Sequence, residues 1–349
     1  MKKTLIALAL VSLPVAASAE VILYGKIRGG VEYTHEGDFA NKSEKNAWGV
    51  VDYSSYIGFK GSEDLGGNLK AIWQVESRVD IGGGKDSSGN PRGFATRDSF
   101  IGLEGGFGTV KVGYVSTPLR NTHAAQDQWE YSSDILGLGR YTRFSTRRTS
   151  LNYQSPDFAG FNFEFQMAPG KNAHTPDART NDGKPAFGLG LGYKNSGFFA
   201  RYAVDYARKS VTTTSNGLKD SHVHNLSAGY DANNLYVAGG IQYGKNVEVS
   251  VDSQNIANTH EDGTNSKEAQ ITAAYTFGAV TPRVSVAYGR FDSKDTNVDG
   301  ARYVQAILGA DYAFSRRTTG IVSTGWIQDK VGSEKTNNWG VGTGLVHKF

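Results

Sequence analysis

The chain has 349 residues with 44 Gly, 8 Pro, 11% aromatic residues and no Cys, and its 37 basic residues nearly balance 34 acidic ones. The absence of cysteine excludes a disulfide scaffold and zinc or iron–sulfur sites built on thiolates. Near-neutral charge removes the basic face expected of a nucleic-acid binder, and abundant Gly, Tyr and Phe favour strands and turns over helices.

Residues 1–19 carry Lys2 and Lys3, an apolar run over 5–15, and the small residues Ala17, Ser18 and Ala19. This is the pattern of a cleavable signal peptide, which predicts a mature domain of residues 20–349. Loss of the two lysines lowers the net charge from +3 to +1. No later stretch reaches the roughly 18 apolar residues of a transmembrane helix. The exported chain is therefore periplasmic, secreted, or an outer-membrane barrel.

Alternation then runs along the chain. Val21, Leu23, Ile27, Val31 and Tyr33 oppose Tyr24, Lys26, Arg28 and Glu32. Leu69, Ala71, Trp73, Val75 and Val79 oppose Lys70, Gln74, Glu76, Arg78 and Asp80. Phe161, Phe163, Phe165 and Met167 alternate with Asn162, Glu164 and Gln166. Ala200, Tyr202, Val204 and Tyr206 oppose Arg201 and Asp205, and Ile271, Ala273, Tyr275 and Phe277 oppose Gln270, Thr272 and Thr276. A sandwich shares this period, but strands that cross an apolar band need about 9–11 residues each, and alternating segments of about this length recur along the chain.

The connectors alternate too. Short turns fall at 63–68, 105–108, 155–160, 194–197, 231–234, 278–282 and 315–318; long polar connectors fall at 36–47, 82–95, 116–146, 169–185, 209–219, 245–266, 292–300 and 328–337. Seven short and eight long connectors link sixteen strands in up-and-down order, which predicts an all-β, 16-stranded antiparallel transmembrane barrel. The last strand places Trp339, Val341, Leu345 and the terminal Phe349 on one parity, the ending expected of an outer-membrane insertion signal.

The connector over 116–146 is the longest, and its Trp129, Tyr131, Ile135, Leu136 and Leu138 argue against disorder. It also holds Arg120, Asp127, Glu130 and Asp134. By parity Lys26, Arg28, Arg78 and Lys111 face the lumen. Of the adjacent Arg147 and Arg148, parity from Leu151 and Tyr153 favours Arg148 as inward.

Several segments resemble the trimeric porins of Gram-negative bacteria, the neisserial ones above all. They include Leu23-Tyr24-Gly25-Lys26, Ile57-Gly58-Phe59-Lys60-Gly61-Ser62-Glu63-Asp64-Leu65-Gly66 and Leu69-Lys70-Ala71-Ile72-Trp73-Gln74-Val75-Glu76. Ser99-Phe100-Ile101-Gly102-Leu103, Tyr153-Gln154-Ser155-Pro156-Asp157-Phe158-Ala159-Gly160, Val280-Thr281-Pro282-Arg283-Val284-Ser285 and His347-Lys348-Phe349 extend the likeness over nearly the whole mature chain. The resemblance implies a homotrimer of 16-stranded barrels whose third external loop, here about 116–146, folds inward to constrict each pore. It implies a pore-wall role for Arg97 and favours Arg147 over its neighbour. Tyr56, Tyr114 and Asn152 depart from the family where basic wall residues are usual.

The expectation is an outer-membrane porin of a Gram-negative bacterium. Ions and small hydrophilic solutes would diffuse through a water-filled pore, narrowed where the acidic loop faces a basic wall of Lys26, Arg28, Arg78, Arg97, Lys111, Arg147 and Arg148. Opposed charges in a narrow lumen orient polar solutes and set ion preference. Lipid, lipopolysaccharide and the barrel-assembly machinery are the expected partners, with no nucleic acid. The alternative is a surface adhesin that binds host molecules through its long loops. No catalytic residue, cofactor or metal is expected. Gly82-Gly83-Gly84-Lys85 has Asp86 where a phosphate loop needs Ser or Thr, and Gly340-Val341-Gly342-Thr343-Gly344 lacks a βαβ setting. His222 and His224 share a strand face without a third ligand.

Overall fold

The computed structural model describes residues 20–37, 44–83, 93–131, 133–170, 184–213, 217–247, 264–293 and 299–349, with backbone alone at 209–213, 217 and 218. The expected signal peptide, Gly84 and Lys85, and parts of the six connectors at 36–47, 82–95, 169–185, 209–219, 245–266 and 292–300 lie outside the described residues.

The strands are β1 (Glu20–Gly37), β2 (Glu44–Asp52), β3 (Tyr56–Gly66), β4 (Leu69–Arg78), β5 (Ser99–Gly105), β6 (Gly108–Ser116), β7 (Arg147–Gln154), β8 (Phe161–Ala168) and β9 (Ala186–Asn195). They continue as β10 (Phe198–Thr213), β11 (Gly217–Ala232), β12 (Leu235–Val247), β13 (Thr264–Tyr275), β14 (Val280–Asp292), β15 (Arg302–Ala313), β16 (Thr318–Val331) and β17 (Glu334–Lys348). Chain neighbours pair antiparallel except β2 and β3, and β1 pairs with β17 (Arg28 opposite Val346, Tyr33 opposite Val341), which closes the sheet. Both β2 and β3 pair with β1, so they are two halves of one stave and the seventeen segments make a barrel of sixteen.

The break between β2 and β3 has a local cause. Ser54 adopts φ 68°, and the Asp52 carboxylate accepts from the backbone N–H of Ser54 (2.9 Å) and Ser55 (3.1 Å). Asp52 and the next residue, Tyr53, are thereby both buried inside the barrel, where strict alternation would send one outward. At the opposite end, Asn233 and Asn234 (φ 54° and 64°) form the left-handed turn that matches strand twist in a two-residue hairpin.

One connector differs from its expected form. The stretch 328–337 is a tight hairpin: β16 runs to Val331, β17 starts at Glu334, and Gly332 takes φ 58° between them. Its polar residues belong to strands that extend beyond the apolar band, where neither face demands hydrophobic side chains.

Across the wall the outward positions are apolar and open: Ile101 is 66% exposed, Ile241 60%, Leu308 60% and Leu345 56%. A continuous apolar belt of this size on a closed barrel is a lipid-facing surface. Aromatic pairs edge it. Phe161–Tyr193 (4.4 Å), Phe198–Tyr230 (4.9 Å) and Tyr275–Phe277 (4.4 Å) lie at the short-turn end, and Tyr33–Trp48 (5.0 Å) and Tyr33–Trp339 (5.4 Å) at the long-loop end. The hydrophobic core lies inside the barrel, where Leu119, Trp129, Tyr131, Ile135, Leu136 and Leu138 of the 117–146 connector pack with inward Tyr53, Ile307, Ile321, Ile327 and Val346.

Candidate functional site

The connector between β6 and β7 starts with a short helix, Pro118–Ala124, capped by Thr117, whose Oγ1 accepts from the Arg120 N–H at 3.2 Å. Its side chains then bond to the inner wall one after another. His123 meets Gln242 (2.6 Å) and Ser145 (2.8 Å), Gln126 donates to Asn225 (2.9 Å), and Trp129 Nε1 donates to Ser285 (2.8 Å). Tyr131 donates to the Gly342 carbonyl (3.0 Å), and Gln305 Nε2 donates to the carbonyls of Asp134 and Gly137, both at 2.7 Å. Two arginines fix the returning limb. Arg140 forks onto Asp329 (3.3 and 3.2 Å), and Arg143 onto Glu268 (2.5 and 2.7 Å).

Close approach requires glycine on the wall at two places. A Cβ on Gly325 would lie 1.9 Å from the Ile135 carbonyl oxygen, and one on Gly240 would lie 2.0 Å from Gln126 Oε1. These inward glycines leave room for loop backbone and amide against the sheet.

The charged residues expected at the constriction fall into pairs. Lys26 donates to both Glu130 oxygens (2.5 and 2.6 Å), and Arg28 Nη1 to one of them (2.5 Å). Arg28 is positioned by the β2–β3 break, since its Nη2 reaches the Ser54 carbonyl (3.3 Å) and its N–H the Ser55 hydroxyl (2.9 Å). The acidic loop thus touches this part of the basic wall instead of standing across water from it. Arg97 pairs with Glu76, which also accepts from Tyr24 (3.1 Å), and its guanidinium lies 4.4 Å from the Tyr56 ring centre. Arg147 pairs with Asp98 (2.6 Å), while Arg148 forks onto Asp205 of β10 (2.5 and 2.7 Å), so each of the adjacent arginines has its own carboxylate. Lys111 donates to Gln154 (3.0 Å) and borders a polar recess of about 260 Å³ with Asp98, Asn121, Asn152 and Glu164. Arg78 holds the Thr96 hydroxyl through its backbone N–H (2.9 Å) at the end of β4.

Within the connector, burial works against the charge of Glu130, but the attraction and hydrogen bonds of Lys26 and Arg28 outweigh it and hold the carboxyl below its ordinary range. Burial pushes Asp127 up to about 6, even though one oxygen accepts from the Trp129 N–H at 3.0 Å. Burial, followed by repulsion from Arg147 and Arg97, lowers Arg120 to about 10. Asp134 is exposed and lies 3.4 Å from Arg140.

The model of the Gram-negative porin family matches residues 20–349. The chain belongs to that family. Among curated relatives, the major outer membrane protein P.IB of Neisseria sicca is 41% identical over 373 residues, and that of Neisseria meningitidis serogroup B is 40% identical over 358, each covering 100% of both chains. An anion-selective porin from Comamonas acidovorans shares the fold (TM-score 0.71, 21% identity, 95% of this chain and 100% of that one). So does OmpF of Salmonella typhi (TM-score 0.68, 21% identity, 95% and 98%). The protein is an outer-membrane porin, and its place is the outer membrane of a Gram-negative bacterium.

Parity had singled out most of the basic residues but not their partners. Glu76 and Asp205 stood on inward parities, which is a usable signal. Arg140, Arg143, Glu268 and Asp329 had none, because their pairing depends on where a thirty-residue connector lies.

Proposed function

We propose that the 117–146 connector narrows the lumen, and that ions and small hydrophilic solutes diffuse through the remaining opening with a mild preference for anions. The observation that carries this reading is the clamp of Glu130 between Lys26 and Arg28, which ties the connector across the barrel to β1. Around it, the four cations Lys26, Arg28, Arg97 and Arg147 meet three carboxylates, Glu130 of the connector and Glu76 and Asp98 beside the wall. A small positive excess in a water-filled, low-dielectric enclosure favours anions without excluding cations. Tyr56, in place of a further cation, keeps that excess small. Passage needs no covalent chemistry and no cofactor. Residues 1–19 act as the export signal, three copies assemble into a homotrimer, and Phe349 marks the chain for the barrel-assembly machinery.

Planar-bilayer recording across a salt gradient tests this. Wild type should give a small anion-side reversal potential. Glu130→Gln, which leaves Lys26 and Arg28 uncompensated, should move it further in the same direction with single-channel conductance nearly unchanged. A cation-side potential in wild type, or no shift in the variant, would overturn the assignment.

A further inference from the structure

The inner wall of β5–β8 holds two opposite charges that do not meet. Lys111 of β6 faces Asn152 of β7, and Glu164 of β8 faces Gln154 of β7. All four turn inward, because the alternating Val112, Leu151, Phe163 and Phe165 are open on the outer face. They line the polar recess of about 260 Å³ together with Phe100, Asp98 and, from the connector, Asn121.

Among the described residues, Lys111 donates to Gln154 (3.0 Å) and lies 5.0 Å from the Phe100 ring centre, with no carboxylate in ion-pair contact. Glu164 accepts only from amides, Asn152 at 2.7 Å and Asn121 at 3.0 and 3.2 Å. Asp98, the other acid of the recess, is already matched by Arg147 (2.6 Å). Elsewhere inside the barrel such charges pair directly, as Lys26 does with Glu130 and Arg148 with Asp205. A further observation points into the same space. Asn152 is 1% exposed, and its Oδ1 has no hydrogen-bond partner. A buried acceptor left without a donor is costly, so whatever enters the recess gains by supplying one.

The recess thus presents a cation with donors to spare at one end, and a carboxylate with a bare amide oxygen at the other. A simple anion is repelled by Glu164 and a simple cation by Lys111. A molecule carrying both charges satisfies both ends. The volume lies below the roughly 300 Å³ at which sites for drug-sized ligands begin, which restricts the occupant to a compact solute.

We propose that this recess retains small zwitterions of the amino-acid type. The carboxylate of the solute accepts from Lys111 and the Gln154 amide, its ammonium donates to Glu164 and Asn152 Oδ1, and a short side chain lies against Phe100. The inference rests on the diffusion reading for access from the lumen, and it adds a saturable stop for one class of solute.

Saturation-transfer difference NMR on the full mature protein in detergent tests this, with L-alanine as probe and lactamide, an uncharged molecule of the same shape, as control. Wild type should give a saturable alanine signal and a much weaker one for lactamide. Lys111→Gln removes the charge that meets the carboxylate, and Glu164→Gln the one that meets the ammonium. Each should weaken alanine roughly tenfold and leave lactamide unchanged. Both variants should keep the folded form on unheated gels, which separates lost binding from misfolding. Equal signals for alanine and lactamide in wild type, or unaltered alanine binding in both folded variants, would overturn the proposal. So would a wild type that binds neither, since the recess would then hold water only. Bilayer recording on the same preparation separates the two readings: conductance without binding overturns the recess alone, and binding without conductance overturns the diffusion reading alone.

Discussion

The barrel interior and the outer rim treat their basic residues in opposite ways. Inside, Lys26 and Arg28 share Glu130, Arg97 has Glu76, Arg143 has Glu268, Arg147 has Asp98 and Arg148 has Asp205. Outside, five cations from Lys267 to Lys335 stand opposite one another in succession, and among them Lys267 and Arg290 share Asp292. The difference follows from where counter-charge can come from. A guanidinium enclosed between loop and wall loses much of its hydration and must find a carboxylate in the same chain. A cation on the rim keeps its water and is screened by dissolved salt, so it needs no such partner.

The sharpest way to break the inner arrangement is at its most enclosed pair. Glu268 is 4% exposed and also accepts from Tyr303 (2.9 Å), so Glu268→Gln leaves Arg143 buried without its counter-ion. A loss of about 3–5 kcal/mol is expected, read as a lower thermal midpoint and new protease cleavage within 117–146.

Acid should attack the same region next. Burial lowers His123 to about 4 from its ordinary 6.5, so the folded protein keeps the ring neutral while the unfolded chain protonates it. Stability from this group is complete above pH 6.5 and is lost as pH falls from 6.5 toward 4, by roughly 3 kcal/mol in all. Asp127 has the opposite sign. Its value rises from 3.8 to about 6, so its penalty grows as pH increases across that window. His123→Gln should flatten the acid side of a thermal midpoint-against-pH curve; an unchanged curve would show that the ring does not carry the effect.

Steric pressure comes third. Gly325→Val would drive a side chain into the Ile135 carbonyl, so loop docking should weaken by about 1–3 kcal/mol and single-channel conductance should rise. On the rim, Asp292→Asn should change stability in detergent by less than about 1 kcal/mol, as exposed pairs do.

The contrast also marks how far the sequence could be read. Each stave exposes one face to lipid and one to the lumen, so the period of two in 69–80 or 161–167 was visible, and the turns followed from Gly and Asn positions. The partners of Arg140 and Arg143 were not, because Asp329 and Glu268 lie 189 and 125 residues away and only the folded connector brings them together. The basic row escaped notice for a related reason. Lys267, Arg290, Arg302, Lys330 and Lys335 look like ordinary solvated charges until strand register aligns them. In the sequence the hairpin at Gly332 looks like a loop, because polar composition marks any backbone outside the apolar band, strand or not.

Closure of the sheet has a kinetic corollary. The seam joins β1 to β17 across more than 300 residues of chain, and the 117–146 connector bonds to both sides of it, through Glu130 to Lys26 and through Tyr131 to the Gly342 carbonyl. Contacts of such separation form late. The connector therefore cannot reach its final seat until the first and last staves have met, and in a folding barrel its resistance to protease serves as a clock for the moment the cylinder shuts.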